Sequence, residues 1–200
     1  MLIWIEQDDQ TYQAYTQPGE TMENIQPILD AADIERIVTR ITHEILEVHK
    51  GTKNLSLIGI QTRGVFLAKR IQALIKKIEG IEIPAGIIDI TLYRDDWTKI
   101  SNNPVVQATD IFFSIDEKQI VLVDDVLFTG RTIRAAMDAI MDYGRPDRIE
   151  LAILVDRGHR ELPIQANYVG KHISTGLTET VNVLVSEHDG IDKVVLEKGK

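Results

Sequence analysis

Two adjacent carboxylates, Asp124 and Asp125, end the apolar run IVLV and precede Thr129-Gly130-Arg131-Thr132. Carboxylates repel phosphate but accept hydrogen bonds from hydroxyl groups or hold a hydrated Mg2+. The TGRT segment has the opposite character. It stands where a strand gives way to a helix, and the free N–H groups and positive dipole end of a helix attract phosphate. Gly130 permits close backbone approach, and Thr129 and Thr132 add hydroxyl donors. One ligand satisfies both halves: a ribose carrying a 5′-phosphate. The plainer alternative is a strand-to-helix turn whose acids cap the helix. Neither G-x-x-x-x-G-K-[ST] nor G-x-G-x-x-G occurs, so the Walker and Rossmann phosphate loops are excluded.

The elements that must hold these groups follow from periodicity. From Ala31, apolar residues at Ile34, Ile37, Val38, Ile41, Ile45, Leu46 and Val48 have helical spacing, with Asp30 as N-cap and Gly51 as terminator. LSLIGI (55–60) reads as a buried strand and QTRG as a turn. Val65, Phe66, Leu67, Ile71, Leu74, Ile75 and Ile78 form one face of a second helix. AGIIDITLY (85–93) and IVLVD (120–124) are strands, and TIRAAMDAIMDYG is a helix closed by Gly144. IELAILVD (149–156) is a fourth strand and VNVLV (181–185) a last one, with 157–180 irregular between them. Residues 94–108 are a long polar loop, a kind that often serves function. Strands alternating with helices predict a right-handed, mostly parallel α/β sheet. Asp124 and Asp125 then lie beyond the carboxyl end of a strand, where open sheets bind ligands.

The chain has 200 residues, 44% hydrophobic and 26% charged, which favours one domain with at most small appendages. Residues 1–30 hold Glu6, Asp8, Asp9, Glu20, Glu23 and Asp30 but no Lys or Arg. We therefore read 1–24 as an N-terminal appendage, extended or disordered, and 25–200 as the folded domain. There is no cysteine, which excludes disulfides and thiolate metal sites and fits a reducing cytoplasm. No apolar run approaches the roughly 18 residues of a membrane span, and MLIWIEQDDQ lacks the basic start of a signal peptide. No membrane partner and a cytoplasmic location are expected. A net charge of −9 argues against broad nucleic-acid binding but leaves room for a local basic patch.

VLVDDVLFTGRT resembles the phosphoribosyl-diphosphate (PRPP) motif of the type I phosphoribosyltransferases. The resemblance implies that family's α/β fold, a twisted, mostly parallel sheet flanked by helices with a small hood. By it, Asp124 and Asp125 hold the ribose hydroxyls, and Val126, Leu127, Phe128, Thr129, Gly130, Arg131 and Thr132 form the PRPP/UMP-binding loop. Mg2+ would be held mainly by PRPP and water, with Asp124 and Asp125 touching it through water. QTRG resembles the family's pyrophosphate loop: N–H groups of Thr62, Arg63 and Gly64 meet the diphosphate, with Arg63 as counter-charge. Arg94 closes over the diphosphate from the long loop. Arg157 lies past the fourth strand, where base and diphosphate meet, and Lys171, His172 and Ile173 are assigned to the uracil pocket. Arg63, Arg94, Asp124 and Asp125 are the catalytic candidates, acting by position and charge.

Purine enzymes of the family usually carry an acid just before the Thr-Gly, where this chain has Phe128. The Pro-Met-Leu-Ala-Thr-Gly loop of dedicated uracil enzymes is also absent. GIQTRGVFLAKRI (59–71), DITLYRDD (89–96) and GRPDRIELAILVDRGHRELPI (144–164) closely resemble the family's bifunctional pyrimidine operon regulators. Those proteins are RNA-binding attenuators with uracil phosphoribosyltransferase activity, and the resemblance spans 25–197. It implies uracil plus PRPP giving UMP and pyrophosphate, a homo-oligomer (dimer or larger), and binding of the leader RNA of pyrimidine genes. Thr39, Arg40 and His43 share one helix face. With His159, Arg160 and Lys171 they match positions associated with that RNA, so Arg160 should be replaceable without loss of transfer activity. One departure stands out: the regulators' PIRADY reads PIQANY here, and Gln165 replaces a cation. Affinity falls with each phosphate contact removed. Two alternatives stay open: a regulator with weak catalysis, and a purine phosphoribosyltransferase, against which Phe128 argues.

Overall fold

The computed structural model describes residues 3–8, 11–15, 25–93 and 109–199. Its centre is a five-stranded parallel sheet of Leu55–Ile60 (β4), Ala85–Ile88 (β5), Gln119–Leu127 (β6), Arg148–Asp156 (β7) and Tyr168–His172 (β8), in the order β5-β4-β6-β7-β8. β4 is buried at every position, as expected of an inner strand covered on both faces. Alternation along the strands divides the core in two. Leu55, Leu57, Val121 and Val123 face Ile34, Ile41, Ile45, Ile71 and Ile75 of helices α1 (Ala31–His49) and α2 (Arg63–Glu79). Ile58, Ile60, Ile120 and Leu122 face Ile133, Ala136 and Ile140 of helix α3 (Arg131–Met141).

A second sheet, antiparallel, joins Ile25–Leu29 (β3), Lys193–Glu197 (β10) and Thr180–Leu184 (β9) in the order β3-β10-β9. The last strand expected from sequence is therefore β9, paired outside the parallel sheet. β3, β8 and β10 were not expected. Each has five residues, and β8 is the half-exposed edge strand YVGKH, without an apolar alternation to read. A short helix, α4 (Ser186–Asp189), links β9 to β10. Within the N-terminal segment, Ile3–Asp8 (β1) and Thr11–Tyr15 (β2) pair antiparallel as a two-stranded sheet.

Two boundaries and one buried position depart from the sequence reading. The strand expected over 85–93 stops at Ile88, because Asp89 turns the chain: its Oδ1 accepts from Thr91 N–H at 2.8 Å and Thr91 Oγ1 at 2.6 Å. The helix expected to run to Gly144 ends at Met141. Val48, counted on the inward face of α1, is 54% exposed. Asp30 does cap α1, and Asp33 reciprocates to the Asp30 N–H. No helix among the described residues is long and apolar enough to cross a membrane.

Candidate active site

The carboxyl ends of β4 and β6 each lead within a few residues into a helix, so α2 and α3 both begin at this edge of the sheet. Unlike α1, neither donates a first-turn N–H to the side chain of its N-cap residue. Thr62 makes none at α2, and the α3 cap is Gly130, whose φ of 90° lies in the left-handed region that favours glycine. First-turn N–H groups without such caps are suited to an anion. At α3, Thr129 Oγ1 reaches back to accept from the Arg131 N–H at 3.4 Å. Gly64 sets how close α2 comes to β6, since a Cβ there would lie 2.4 Å from the Val123 carbonyl oxygen and 3.1 Å from Asp124 Cα. The Gln61–Thr62 peptide just before it is cis.

Between these elements lies a cleft of about 320 Å³ lined by Gln61, Thr62, Arg63, Asp89, Ile90, Thr91, Asp124, Asp125, Val126 and Thr132. The two acids do meet at its floor. Asp124 is buried, and its Oδ1 accepts from the Asp125 N–H at 3.0 Å; Asp125 Oδ1 accepts from the Val126 N–H at 2.8 Å. Burial, then the neighbouring Asp125 charge, pushes the Asp124 carboxyl well above the usual range. Burial raises Asp125 too, against the pull of the Arg63 guanidinium. Two crowded carboxylates held by main-chain donors have capacity left for hydroxyl groups or a hard cation. Among the described residues no group of three or more His, Cys, Asp or Glu could hold a metal ion. Two adjacent carboxylates are oxygen donors of the kind a magnesium ion accepts, and they would leave most of its coordination to ligand and water.

Arg63 lines the cleft, oriented by a partner distant in sequence. Its Nε and Nη2 donate to Asp189 Oδ2 and Oδ1 of α4 at 2.9 and 2.8 Å. Arg157 directly follows β7, past the fourth strand as expected. It is buried, donates to Thr175 Oγ1 and to the carbonyls of Gly176 and Glu179, and lies 4.1 Å from the centre of the Phe128 ring. It is thus a shelf under Phe128 and does not line the cleft. Lys171 and His172 are exposed at the end of β8, and Ile173 packs against the core; none of the three lines the cleft.

Of the residues assigned to RNA, Arg40 pairs with Glu44 and donates to the Val169 and Gly170 carbonyls, joining α1 to β8 beside Lys171. His43 is exposed and Thr39 half-buried. His159 Nε2 contacts the Thr175 carbonyl at 2.6 Å, and its ring meets the Phe128 ring edge-on. The structure revises what Arg160 can be expected to do. Its guanidinium donates to the carbonyls of Phe128, Gly158 and Ile164 and to the Asp156 carboxylate. Burial would raise the Asp156 carboxyl, but the bond from Arg160 and the Gly158 N–H hold it below the usual range. Arg160 therefore supports the loop carrying Phe128 and Thr129. Arg94 and the long loop 94–108 lie outside the described residues.

Sequence reasoning missed Gln61, Asp89 and Thr91 in the cleft, and Asp189 behind Arg63. The D-x-T spacing of Asp89 and Thr91 carries an Asx-turn signal that could have marked those two. Asp189 had no local signal.

Comparison with known proteins agrees with this geometry. Residues 24–185 match the family described as phosphoribosyl transferase domain. The bifunctional protein PyrR of Caldicellulosiruptor bescii is 58% identical over 177 residues, covering 88% of this chain and 97% of that one. The bifunctional protein PyrR of Oceanobacillus iheyensis is 60% identical, covering 84% and 95%. Among solved structures, a hypoxanthine phosphoribosyltransferase of Trypanosoma cruzi superposes with a TM-score of 0.68 at 16% identity, covering 90% of this chain and 95% of that one. One of Staphylococcus aureus gives 0.63 at 19% identity, covering 88% and 92%; at such identities the likeness is one of fold. A parallel sheet ending in an acid pair between two helix N-termini, the domain match and these relatives together place the chain in the phosphoribosyltransferase family, among the bifunctional PyrR proteins.

Proposed function

We propose that the protein transfers the phosphoribosyl group of PRPP to uracil, forming UMP and pyrophosphate. The observation that carries this is a cleft that joins buried Asp124 and half-buried Asp125 to the starts of α2 and α3. In this reading the α3 N-terminus with Thr129 and Thr132 holds the 5′-phosphate, and Asp124 and Asp125 accept from the ribose hydroxyls. The Thr62–Gly64 turn and Arg63 hold the diphosphate. Arg94 belongs to the same proposal as the group that closes over it. When bound, Mg2+ neutralises the diphosphate and makes it a better leaving group. Uracil N1 bonds to the ribose carbon as the bond to the diphosphate oxygen breaks, and the N1 proton leaves. The residues of the cleft contribute position and charge rather than a covalent intermediate.

Uracil is favoured over a purine because Phe128, stacked on Arg157, stands where a carboxylate would meet a purine ring nitrogen. Lys171, His172 and Ile173, outside the cleft but beside the end of β7 through the Ile173 N–H on the Asp156 carbonyl, are proposed for the uracil side. The test is uracil-dependent release of pyrophosphate from PRPP with Mg2+, compared with the Asp124→Asn, Asp125→Asn double variant. Loss of ribose orientation should lower turnover about a hundredfold. Near-normal turnover of the double variant would remove the acids from this role.

A second activity is proposed on the strength of the PyrR relatives: UMP-dependent binding of the leader RNA of pyrimidine genes by a cytoplasmic homo-oligomer. Exposed His43 and Lys171, with Thr39, Arg40 and His159, supply the surface. Saturable leader binding that tightens with UMP supports it, and its absence at low salt refutes it.

A further inference from the structure

Arg63 has five N–H donors arranged around a planar group. The bidentate contact to Asp189 takes one edge, Nε and Nη2, at 2.9 and 2.8 Å. The donors of Nη1 remain, on a residue that lines the cleft beside Asp125. Asp189 is itself fixed, since its Oδ2 accepts from the Val185 N–H at 2.9 Å. Asp189 ends α4, and that segment is braced against the outer side of α2. Arg70 donates to Glu187, Ser186 Oγ and Asp192, and Phe66 stacks on His188 at 6.2 Å between ring centres. The connection between β9 and β10 thus reaches across to the other sheet and grips the one arginine of the pyrophosphate turn.

We infer that Asp189 is a positioning residue for phosphoribosyl transfer: it fixes the Arg63 guanidinium so that its remaining donors meet the substrate diphosphate. Without Asp189 the arginine would keep its charge but lose its orientation, and it would stand free to pair with Asp125 across the cleft. The pair also explains why an α/β enzyme would carry an acid so close to a phosphate subsite. Its charge is matched by Arg63; partial burial pushes its carboxyl up, but the bonds from Arg63 and the Val185 N–H hold it below the usual range. The inference rests on the reading of Arg63 as a diphosphate ligand.

The experiment is a double-mutant cycle on the full chain with PRPP, uracil and Mg2+, using Arg63→Ala, Asp189→Ala and the pair, each with its Tm. Asp189→Ala should raise the KM for PRPP about tenfold, as for an impaired charged hydrogen bond, and leave the KM for uracil within about twofold, since lost substrate binding appears in KM. In the Arg63→Ala background the same change should add nothing. Glu187→Gln, which loosens the brace through Arg70 without touching Arg63, should leave the KM for PRPP unchanged. Asp189→Glu, which keeps the carboxylate, should recover part of the loss. Equal, additive effects of Asp189→Ala with and without Arg63, or a matching effect of Glu187→Gln, would overturn the inference in favour of a structural tie. If Arg63→Ala raises the KM but Asp189→Ala does not, the inference alone fails. If Arg63→Ala itself leaves the KM for PRPP unaltered, the diphosphate reading of Arg63 fails with it.

Discussion

Gly64→Ala is the smallest change that should damage this site. The added Cβ would lie 2.4 Å from the Val123 carbonyl oxygen, whereas ordinary contact begins near 3.4 Å, so α2 and β6 must part by about 1 Å. The opposing atoms are main chain, the Val123 oxygen and the Asp124 Cα, so no side-chain rotation relieves the clash. Overpacking of this kind costs about 1–3 kcal/mol. In a chain of this size each kcal/mol moves Tm by about 2–4 °C, so a fall of roughly 2–12 °C is expected. Activity should suffer more than stability, because the displaced atoms carry Asp124 on one side and the diphosphate turn on the other. A misplacement of about 1 Å costs on the order of a hundredfold in rate. The assay is kcat/KM for PRPP with saturating uracil, beside thermal denaturation of the same preparation. Gly176→Ala is the control: its nearest neighbour, Glu179 Oε2, would be 3.6 Å from the Cβ, and its Tm should stay within the effect of about 0.5 kcal/mol. Wild-type Tm and activity in Gly64→Ala would refute the claim that α2 is seated on β6 at this point.

Asp124 keeps its proton above the usual carboxylate pKa in the folded chain, chiefly through burial and then Asp125. The folded state then binds more protons than the unfolded one from the ordinary carboxylate value up to the raised one, so ligand-free stability falls as pH rises through that window. Tm against pH should therefore slope less in Asp124→Asn than in the wild type, and parallel curves would contradict the raised pKa. Arg160→Ala should lower transfer activity as well as stability, because it frees the Phe128 carbonyl and leaves the buried Asp156 charge without its arginine; unchanged kcat/KM would return Arg160 to a purely peripheral role. Removing residues 1–24, which lie outside the matched 24–185 domain but for its first position, should leave Tm within a few degrees and uracil transfer intact. Loss of folded protein would make that segment part of the domain.

The acid pair and the start of α3, the proposed ribose and phosphate half of the site, were readable because they are contiguous: nine positions from Asp124 to Thr132 carry strand end, acid pair and helix start in one stretch. The cap at Asp30 was local in the same way. What stayed hidden was long-range pairing. Arg63 meets Asp189 at a sequence separation of 126, and Arg160 meets Phe128 at 32. A sequence displays a cation but not the acceptor it faces, so the contacts of Arg157 and Arg160 with Phe128 were not legible in it. The strands missed were β3, β8 and β10, whose pairing depends on neighbours far along the chain. β8 places Lys171 and His172 in solvent, and such an edge gives no alternation to detect.

The central claim is that the base is uracil, on a fold whose solved neighbours include hypoxanthine phosphoribosyltransferases. The direct measurement is kcat/KM with PRPP and Mg2+ for uracil, orotate, hypoxanthine, guanine and adenine in turn, with the nucleotide product identified. UMP should be the product formed fastest, with purine nucleotides formed slowly or not at all, because Phe128 offers no acceptor to a purine nitrogen. Faster turnover of hypoxanthine or guanine than of uracil would contradict it.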